Sequence, residues 1–306
     1  MCLNRRMVRA GCLVLLAAAC GSEPGPVPDP GWMAAIGSPT SLADLSIPGT
    51  HESAALHEPV PGTAKAQNLT LPEQFAAGIR YVDIRCRHLD DAFQIYHGPV
   101  SQLLSFDEVI GFASDFLTAH PSETIIMSVK EESQPSGDSR TFEETFASYV
   151  AKDPGLWRLD ASVPTLAVAR GRIQLLRRFD AATLPTGIDA SKWADDVTFT
   201  LSSTNATLRV QDQYMVSDNA KKFAAITALL AEAQAPTPGT LYLDYTSGYQ
   251  TRSGLPNIPS VADPINLELD TYLADPANVH AHLGVLAMDL VSESRITAVF
   301  STNTRP

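Results

Sequence analysis

The sequence is poor in cysteine. Only 4 of its 306 residues are cysteines, and three of these, Cys2, Cys12 and Cys20, lie within the first twenty positions. The fourth, Cys86, has no other cysteine to pair with in the rest of the chain, which excludes a disulfide framework. Strand alternation turns Cys86 away from the polar residues beside it, so we interpret it as a packed small side chain and not as a nucleophile.

Positive charge is also scarce. The chain has 22 basic and 34 acidic residues, a formal net charge of −12. Loss of residues 1–19, which carry three arginines and no acid, leaves 19 minus 34, a net charge of −15. Such an excess of negative charge repels phosphate backbones and anionic headgroups at long range. We therefore expect no nucleic-acid partner and no polybasic membrane patch, and we expect a monomer.

No apolar run is long enough to span a bilayer. The run GCLVLLAAA follows three arginines and precedes Cys20, an arrangement that resembles a bacterial lipoprotein signal in which the cysteine is lipidated. The alternative is plain secretion with cleavage near Ala19. We therefore assign residues 1–20 to a signal segment, 21–31 to a proline-rich tether and 32–306 to one catalytic domain. The protein is expected to be exported, either lipid-anchored to the cell envelope or secreted.

Short apolar runs alternate with stretches of helical spacing. The runs are Leu42 to Ile47, Ile79 to Arg85, Phe93 to Tyr96, Thr124 to Val129, Arg172 to Leu176, Leu208 to Val210, Leu241 to Tyr245 and Leu283 to Leu290. The helical stretches include Ser105 to Ala119, Thr141 to Ala151, Lys221 to Gln234 and Ile265 to Leu273. This alternation predicts a parallel α/β sheet, and eight runs suggest a closed or nearly closed barrel in a single domain.

Polar residues stand at the ends of these runs. They are His51, Asp83, Arg85, Arg87, His97, Lys130, Glu131, Arg177, Arg178, Asp212, Tyr214 and Asp289. The carboxyl ends of barrel strands meet at one mouth, so these side chains are expected to converge there. Lys130 and Glu131 could instead form a solvated strand end, and Arg177 faces outward if Arg178 faces in. Asp289 lies within an apolar run, and a carboxylate buried there needs a cation or a histidine as its partner.

The remaining histidines are interpreted as structural or solvated. They are His57, His88, His120, His280 and His282. The segment HESAALH lacks the i, i+4 histidine spacing of a zinc protease, and the chain has no Gly-x-Ser-x-Gly elbow and no phosphate-binding P-loop. Two histidines, an arginine and orienting acids suit in-line attack on a phosphodiester, with one histidine as base, the other as acid and the cation at the phosphorus.

Several segments together carry a resemblance to a known family. They are IPGTHE, IRYVDIRCR, YHGPVSQLLSFDEVI, PSETIIMSVKEE, ARGRIQLLRRF, VQDQYMVS, LYLDYTSG and GVLAMDLVSE, in this order over roughly residues 36–303. They resemble the bacterial phosphatidylinositol-specific phospholipases C. The resemblance implies an irregular TIM-type barrel that cleaves phosphatidylinositol to diacylglycerol and inositol 1,2-cyclic phosphate, with the inositol 2-hydroxyl as nucleophile. It also implies a phosphatidylinositol-containing membrane surface as the partner.

The resemblance also implies roles for individual residues. His51 is the general base, Asp289 the acid that orients it, and His97 the general acid. Arg85 contacts the phosphate, with Asp83 beside it. The inositol-binding residues implied are Lys130, Arg178 and Asp212, which bind hydroxyl groups, and Tyr214, which stacks on the ring.

Two positions distinguish this chain within the family. Arg85 stands where calcium-dependent relatives have an acidic residue, so the resemblance implies catalysis without a metal or other cofactor. Glu52 follows the base histidine where the family usually has aspartate, and we interpret it as partly fulfilling the role of supporting the general acid. Two hypotheses from other classes stay open: a catalytically decayed lipid-binding lipoprotein, and a related barrel diesterase acting on another headgroup. Tyr249 and Trp193 are weak candidates for lipid contact.

Overall fold

The computed structural model describes residues 29–304. The predicted signal segment 1–20, the predicted lipidation site Cys20 and the tether up to residue 28 lie outside this range, and export remains a prediction. No helix of the described range is both long and apolar enough to cross a membrane.

The described chain has fourteen strands and seven α-helices. The strands are β1 (Ile47–Thr50), β2 (Tyr81–Leu89), β3 (Ala92–His97), β4 (Val100–Ser105), β5 (Ile125–Glu131), β6 (Trp157–Arg158), β7 (Ile173–Arg178), β8 (Ile188–Asp189), β9 (Val197–Ser202), β10 (Thr207–Asp212), β11 (Thr240–Tyr245), β12 (Gln250–Arg252), β13 (Leu255–Asn257) and β14 (Val285–Met288). The helices are α1 (Leu71–Ala77), α2 (Phe106–Ala119), α3 (Phe142–Val150), α4 (Leu166–Ala169), α5 (Asn219–Gln234), α6 (Pro259–Ala274) and α7 (Glu293–Ser301). Short 3₁₀ helices cover Trp32–Ala35 and Leu42–Asp44.

Strands β12 and β13 form a separate antiparallel pair, and the other twelve of the fourteen strands form one curled, mostly parallel sheet. Its order is β6-β7-β5-β2-β1-β14-β11-β10-β9, and every neighbouring pair is parallel except β10 and β9. Within residues 29–304 the two end strands β6 and β9 do not pair, so the barrel stays open on that side. This is a distorted TIM-type α/β barrel, as the sequence predicts, and it places the carboxyl ends of the strands at one mouth.

Local sequence signals set the helix ends. Three helices begin with a capping box, in which a threonine or serine and a glutamate three residues later satisfy each other's backbone N–H groups. The pairs are Thr70 with Glu73 on α1, Ser105 with Glu108 on α2, and Thr141 with Glu144 on α3. Helix α6 begins at Pro259, six residues before the predicted start, because a proline fits the first helical position while Pro264 inside the helix masks its periodicity.

The predicted first strand, Leu42 to Ile47, is wrong in its bounds. Leu42–Asp44 is a 3₁₀ helix, and β1 starts at Ile47 and runs through Pro48 and Gly49, a residue pair more typical of turns. The N–H groups of Ile47 and His51 donate to the carbonyls of Gly284, just before β14, and of Met288 at its end. By alternation the nitrogen of residue 48 faces β2, where pairing begins only at Gly49. The missing N–H of Pro48 therefore costs no ladder bond.

A close approach between strands explains Gly49. A Cβ atom at this position would lie 2.8 Å from the Cβ of Tyr81 on β2, which is shorter than van der Waals contact allows. The absence of a side chain therefore lets β1 and β2 pack closely. His51 lies two residues after Gly49, directly at the end of this buried strand.

The run Phe93 to Tyr96 is a strand, but it is not a barrel strand. It lies within β3, which pairs antiparallel with β2 through a two-residue turn, Asp90 and Asp91, both with positive φ. Two residues with positive φ are typical of a type I′ hairpin turn. His97 at the end of β3 is therefore presented to the mouth by a hairpin and not by the parallel sheet.

Candidate active site

A cavity of about 450 Å³ opens at the carboxyl ends of the strands. Among the residues that line it are His51, Arg85, His97, Lys130, Glu132, Arg178, Trp193, Asp195, Asp212, Tyr214, Gly248, Tyr249, Ile258 and Asp289. Two further predicted site residues, Asp83 and Glu52, are buried and contact Arg85. The structure thus brings together all ten predicted catalytic and substrate-binding residues.

His51 and Asp289 form a buried pair at the ends of β1 and β14. The Nδ1 atom of His51 lies 2.8 Å from Oδ1 of Asp289, whose side chain is only 1% exposed. With Nδ1–H donating to the carboxylate, Nε2 keeps its lone pair and faces the cavity. Burial disfavours the charged imidazolium, but the carboxylate outweighs it, so the pKa of His51 lies above its ordinary value. His51 is the partner that the buried carboxylate of Asp289 requires.

Arg85 lies at the centre of the site, among several partners. Its Nη2 atom lies 3.0 Å from Nε2 of His51 and 3.1 Å from Oδ2 of Asp83. Its Nη1 atom lies 2.5 Å from Oε1 of Glu52. Although burial disfavours the guanidinium charge, Glu52, Asp83 and Glu132 raise the pKa of Arg85 above its usual range. The site therefore contains a permanent cation directly beside the base.

Asp83 is a buried ion-pair partner of Arg85. Its side chain is fully buried, and its Oδ1 accepts a hydrogen bond from Ser128 Oγ at 3.1 Å and lies 3.5 Å from Arg178 Nη1. Burial favours the neutral acid, but Arg85 and Arg178 outweigh it and lower the pKa of Asp83. Asp83 is consequently a carboxylate that fixes two guanidinium groups and does not itself face the cavity.

His97 faces His51 across the cavity. The two imidazole rings have centroids 6.4 Å apart and planes 83° apart. The Nδ1 atom of His97 lies 2.8 Å from the carbonyl oxygen of Ala64, which leaves Nε2 directed at the site. Oε1 of Glu52 lies 3.7 Å from this Nε2 atom. His97 thus has one ring nitrogen fixed by a backbone carbonyl and the other facing the cavity beside a carboxylate.

Glu52 reaches its partners from an unusual backbone conformation. Its φ is +43°, in the left-handed region, and its side chain is buried. Oε1 lies between Arg85 and His97 but is aligned as a hydrogen bond to neither, so both contacts are electrostatic. The longer side chain of glutamate thus spans the arginine and the second histidine.

The other half of the cavity is lined by charged and aromatic groups. Lys130 Nζ lies 2.9 Å from Oε2 of Glu132, and the guanidinium of Arg178 lies 3.9 Å from the ring centroid of Trp193. Trp193 Nε1 donates a hydrogen bond of 2.8 Å to Asp212. This wall offers donors, acceptors and flat apolar faces close together, as a polyhydroxylated ring requires.

Tyr214 completes this wall. Its hydroxyl donates a hydrogen bond of 2.8 Å to Asp195, and its ring centroid lies 6.1 Å from that of Tyr249. Burial and the neighbouring Asp195 raise the pKa of Tyr214, so the phenol stays neutral and donates. Tyr249, which we considered for lipid contact, lines the mouth of the cavity, and Trp193 is part of its wall instead of an exposed loop residue.

Four side chains of the site were missed by sequence reasoning or, for Trp193, considered only for lipid contact. They are Glu132, Trp193, Asp195 and the supporting Tyr245, whose ring lies 6.0 Å from that of His51. Glu132 accepts from the N–H of Gly98 at 3.1 Å and thereby joins β5 to the His97 hairpin. A signal for Glu132 was present, because strand alternation places it on the same side as Lys130.

Other polar strand ends lie outside the cavity. Arg177 faces away from it, as expected from the inward position of Arg178, and pairs with Asp189 at 2.9 Å. Arg87 extends over the ring of Tyr96, with its Cζ 5.3 Å from the ring centroid. The five remaining histidines do not line the cavity. Cys86 is buried, and burial raises the pKa of its thiol, as suits a packing residue.

The sequence is similar to known proteins along most of its length. A family model described as phosphatidylinositol-specific phospholipase C, X domain, matches residues 42–179. A 1-phosphatidylinositol phosphodiesterase of Staphylococcus aureus is 31% identical over 274 residues, which cover 84% of this chain and 87% of the relative. A relative of the same name from Listeria monocytogenes is 30% identical over 286 residues, which cover 89% of this chain and 84% of the relative.

Solved structures agree with these relatives. The crystal structure of a pentafluoro-Phe-containing phosphatidylinositol-specific phospholipase C from Staphylococcus aureus matches with a TM-score of 0.83 at 28% identity, over 91% of this chain and 98% of that one. A phosphatidylinositol-specific phospholipase C from Listeria monocytogenes shares the fold with a TM-score of 0.74 at 24% identity, over 90% of this chain and 99% of that one. These matches span the barrel from end to end. The chain belongs to the phosphatidylinositol-specific phospholipase C family.

Proposed function

We propose that the protein cleaves phosphatidylinositol to diacylglycerol and inositol 1,2-cyclic phosphate. The observation that carries the proposal is the pair of facing imidazoles, 6.4 Å apart at their centroids, with the Arg85 guanidinium beside them. A tetrahedral phosphorus group between these rings has a base on one side and an acid on the other. A decayed binding protein would have no need to retain this pair.

The proton path follows from the tautomers. His51 Nε2 takes the proton of the inositol 2-hydroxyl, whose oxygen forms the new bond to phosphorus. His97 Nε2 gives its proton to the glycerol oxygen as the old phosphorus–oxygen bond breaks. Asp289 stabilises the imidazolium formed at His51, and Glu52 lies 3.7 Å from Nε2 of His97. Because the nucleophile is part of the substrate, no water has to be recruited.

Arg85 has a different role before and after substrate binds. In the free protein its Nη2 atom lies 3.0 Å from Nε2 of His51 and donates to the lone pair of the base. A phosphodiester oxygen is a stronger acceptor for a guanidinium than a neutral imidazole nitrogen. Substrate binding therefore turns Arg85 towards the phosphate and frees Nε2 for the 2-hydroxyl. The same cation then stabilises the charge that develops on the phosphoryl oxygens.

The wall opposite the histidines provides the specificity for inositol. Lys130 and Arg178 supply donors to hydroxyl groups, Asp212 supplies an acceptor, and the ring of Tyr214 packs on the carbon skeleton. Glu132 fixes Lys130, so it acts with this set. A site built to hydrogen-bond several hydroxyls discriminates strongly against headgroups that lack them, such as choline.

Catalysis is proposed to need no metal ion. The support is the position of Arg85, where a fixed cation already lies within 3.9 Å of three carboxylates, Glu52, Asp83 and Glu132. These three acids face three cations, Arg85, Arg178 and Lys130, which leaves little negative charge to attract a divalent ion.

The direct test uses three substrates with and without EDTA. Residues 29–306, incubated with phosphatidylinositol, are expected to give a cyclic phosphate signal in phosphorus NMR at the same rate with and without chelator. Phosphatidylcholine and glycerophosphoinositol serve as the comparison substrates, and phosphatidylcholine is expected to give no product. Turnover that stops with EDTA and returns with calcium contradicts the metal-independent mechanism. Release of phosphocholine contradicts the assignment of the inositol wall.

The membrane-facing side of the protein is proposed to include the mouth hairpin, residues 250–257. This segment joins Tyr249 and Ile258, both of which line the cavity, so the hairpin projects beside its opening. Leu255 in it is 50% exposed, and the neighbouring Met215 is 53% exposed. Exposed apolar side chains beside a site for a lipid substrate are well placed to enter the membrane interface.

Replacing Leu255 by serine is expected to weaken vesicle binding about tenfold, because losing half the burial of a leucine costs about 1.4 kcal/mol. Turnover of a water-soluble short-chain phosphatidylinositol should stay unchanged. The control is Val168→Ser, since Val168 is 51% exposed but lies on α4, just before the amino end of β7. Sedimentation with phosphatidylinositol vesicles measures the binding. Equal loss in both variants would refute the placement of the interface.

A further inference from the structure

A buried lysine lies behind the inositol wall, and neither the resemblance nor the chemistry above gives it a role. Lys222 lies in the first turn of α5 and is only 3% exposed. Its Nζ atom lies 3.1 Å from Oε1 of Gln211, 2.9 Å from the carbonyl of Gln213 and 2.5 Å from the carbonyl of Tyr245. An ammonium has three protons, so every donor of this buried group is used.

The three acceptors belong to two neighbouring strand ends. Gln211 is the last residue but one of β10, Gln213 follows that strand, and Tyr245 is the last residue of β11. The side chain of Gln211 strengthens the link, because its Nε2 donates to Tyr245 O at 2.9 Å and to Asp244 Oδ1 at 2.8 Å. Beyond their last paired residues, these two strands are thus joined by side chains instead of by the ladder.

Each of these strand ends carries part of the inositol wall. Asp212 and Tyr214 flank Gln213, whose carbonyl Lys222 holds. The ring of Tyr245 packs edge-on against Trp193, with centroids 5.6 Å apart. A group that fixes both strand ends therefore fixes the distance between the Tyr214 side and the Trp193 side of the cavity.

Burial and the surrounding carboxylates act on the charge of Lys222 in opposite directions. Burial lowers the pKa of Lys222 to about 8, while the nearby carboxylates of Asp212, Asp244 and Asp289 oppose that decrease. Oδ2 of Asp244 is buried and has no hydrogen-bond partner. Burial raises the pKa of Asp244 and the charge of Lys222 opposes that rise, so an apolar residue in the place of Lys222 would remove this opposing effect.

We propose that Lys222 is a positioning residue that sets the width of the inositol-binding side of the cavity by clamping the ends of β10 and β11. The inference rests on the proposed function for the identity of the ligand. Lys222 touches no substrate, and it acts through the Gln213 and Tyr245 carbonyls. Its effect should fall on the binding of the inositol ring and not on the proton transfers at His51 and His97.

The test is Lys222→Met, with Lys221→Met as the matched control. Lys221 is the adjacent residue of the same helix, and it is exposed. Lys222→Met is expected to raise KM for monomeric short-chain phosphatidylinositol, and the Kd of myo-inositol measured by calorimetry, about tenfold, with kcat changed less than about threefold. Lys221→Met should leave all three unchanged. A purely structural role lowers the folded fraction, which lowers the apparent kcat at constant KM, and that outcome overturns the proposal.

A second variant covers the possibility that Lys222→Met does not fold, as judged by circular dichroism. Gln211→Met keeps the ammonium and its two carbonyl acceptors but removes the Gln211 side-chain bonds to Lys222, Asp244 and Tyr245. A smaller rise in KM and Kd, in the same direction, is therefore expected. An unchanged KM in a folded variant, or failure of both variants to fold, overturns the positioning role. The inositol titration separates this inference from the function, because wild-type protein that binds inositol without turning over lipid contradicts only the function.

Discussion

Replacement of His51 by alanine is expected to lower kcat on phosphatidylinositol by about 10³-fold, near the middle of the range for loss of a general base. The reason is the pairing with Asp289, which directs Nε2 into the cavity. KM should change little, because the inositol wall on β5, β7 and β10 is untouched. The measurement is the initial rate of cyclic phosphate formation at saturating substrate. His57→Ala is the matched control, since this exposed histidine lies six residues on in the same segment.

The pH profile gives the same prediction a second readout. A base acts when neutral, so kcat/KM falls as the pH decreases through the pKa of His51, which lies above the ordinary value of 6.5. Asp289→Asn removes the carboxylate that raises this pKa. The acid limb of the profile should therefore move to lower pH while the maximum rate decreases. If His51→Ala keeps more than about a tenth of the wild-type rate, His51 is not the base.

Much of the catalytic half of the site could be predicted from sequence. Asp289 was recognisable because an acid inside an apolar run needs a partner, and the structure supplies His51 at 2.8 Å. Alternation along β2 correctly placed Asp83 and Arg85 on one face. These signals are local, since a strand's direction and its end determine where such a side chain points.

The other parts depend on contacts between segments that are far apart in the chain. His97 comes from an antiparallel hairpin, and an Asp-Asp turn with two positive φ values is a weak signal in a sequence. Trp193 lies in an irregular stretch between β8 and β9, where no periodicity indicates which side chains face inward. Lys221 and Lys222 are chemically identical neighbours, and only the packing of α5 against β10 and β11 decides which one is buried.

The second large effect is expected at Arg85. Replacement by lysine should lower kcat/KM about 10³-fold, at the upper end of what one transition-state donor contributes. Lysine keeps the charge but has a single nitrogen, and the guanidinium here divides its nitrogens among His51, Asp83 and Glu52. One ammonium cannot hold two acids and still direct a donor at phosphorus. The charge alone is therefore predicted to be insufficient.

Arg87→Lys is the matched control for this experiment. Arg87 is two residues further along the same face of β2, but it extends over Tyr96 and donates to the carbonyl of Gln134. Its replacement should change kcat/KM less than about threefold, as for a residue away from the reacting atoms. The deciding comparison is Arg85→Lys in EDTA against Arg85→Lys in calcium. If the lysine variant retains full activity in EDTA, the geometry of the guanidinium is irrelevant and any fixed cation suffices. If calcium restores it, the freed carboxylates of Asp83 and Glu52 bind the ion, and the arginine occupies a site that a metal can fill.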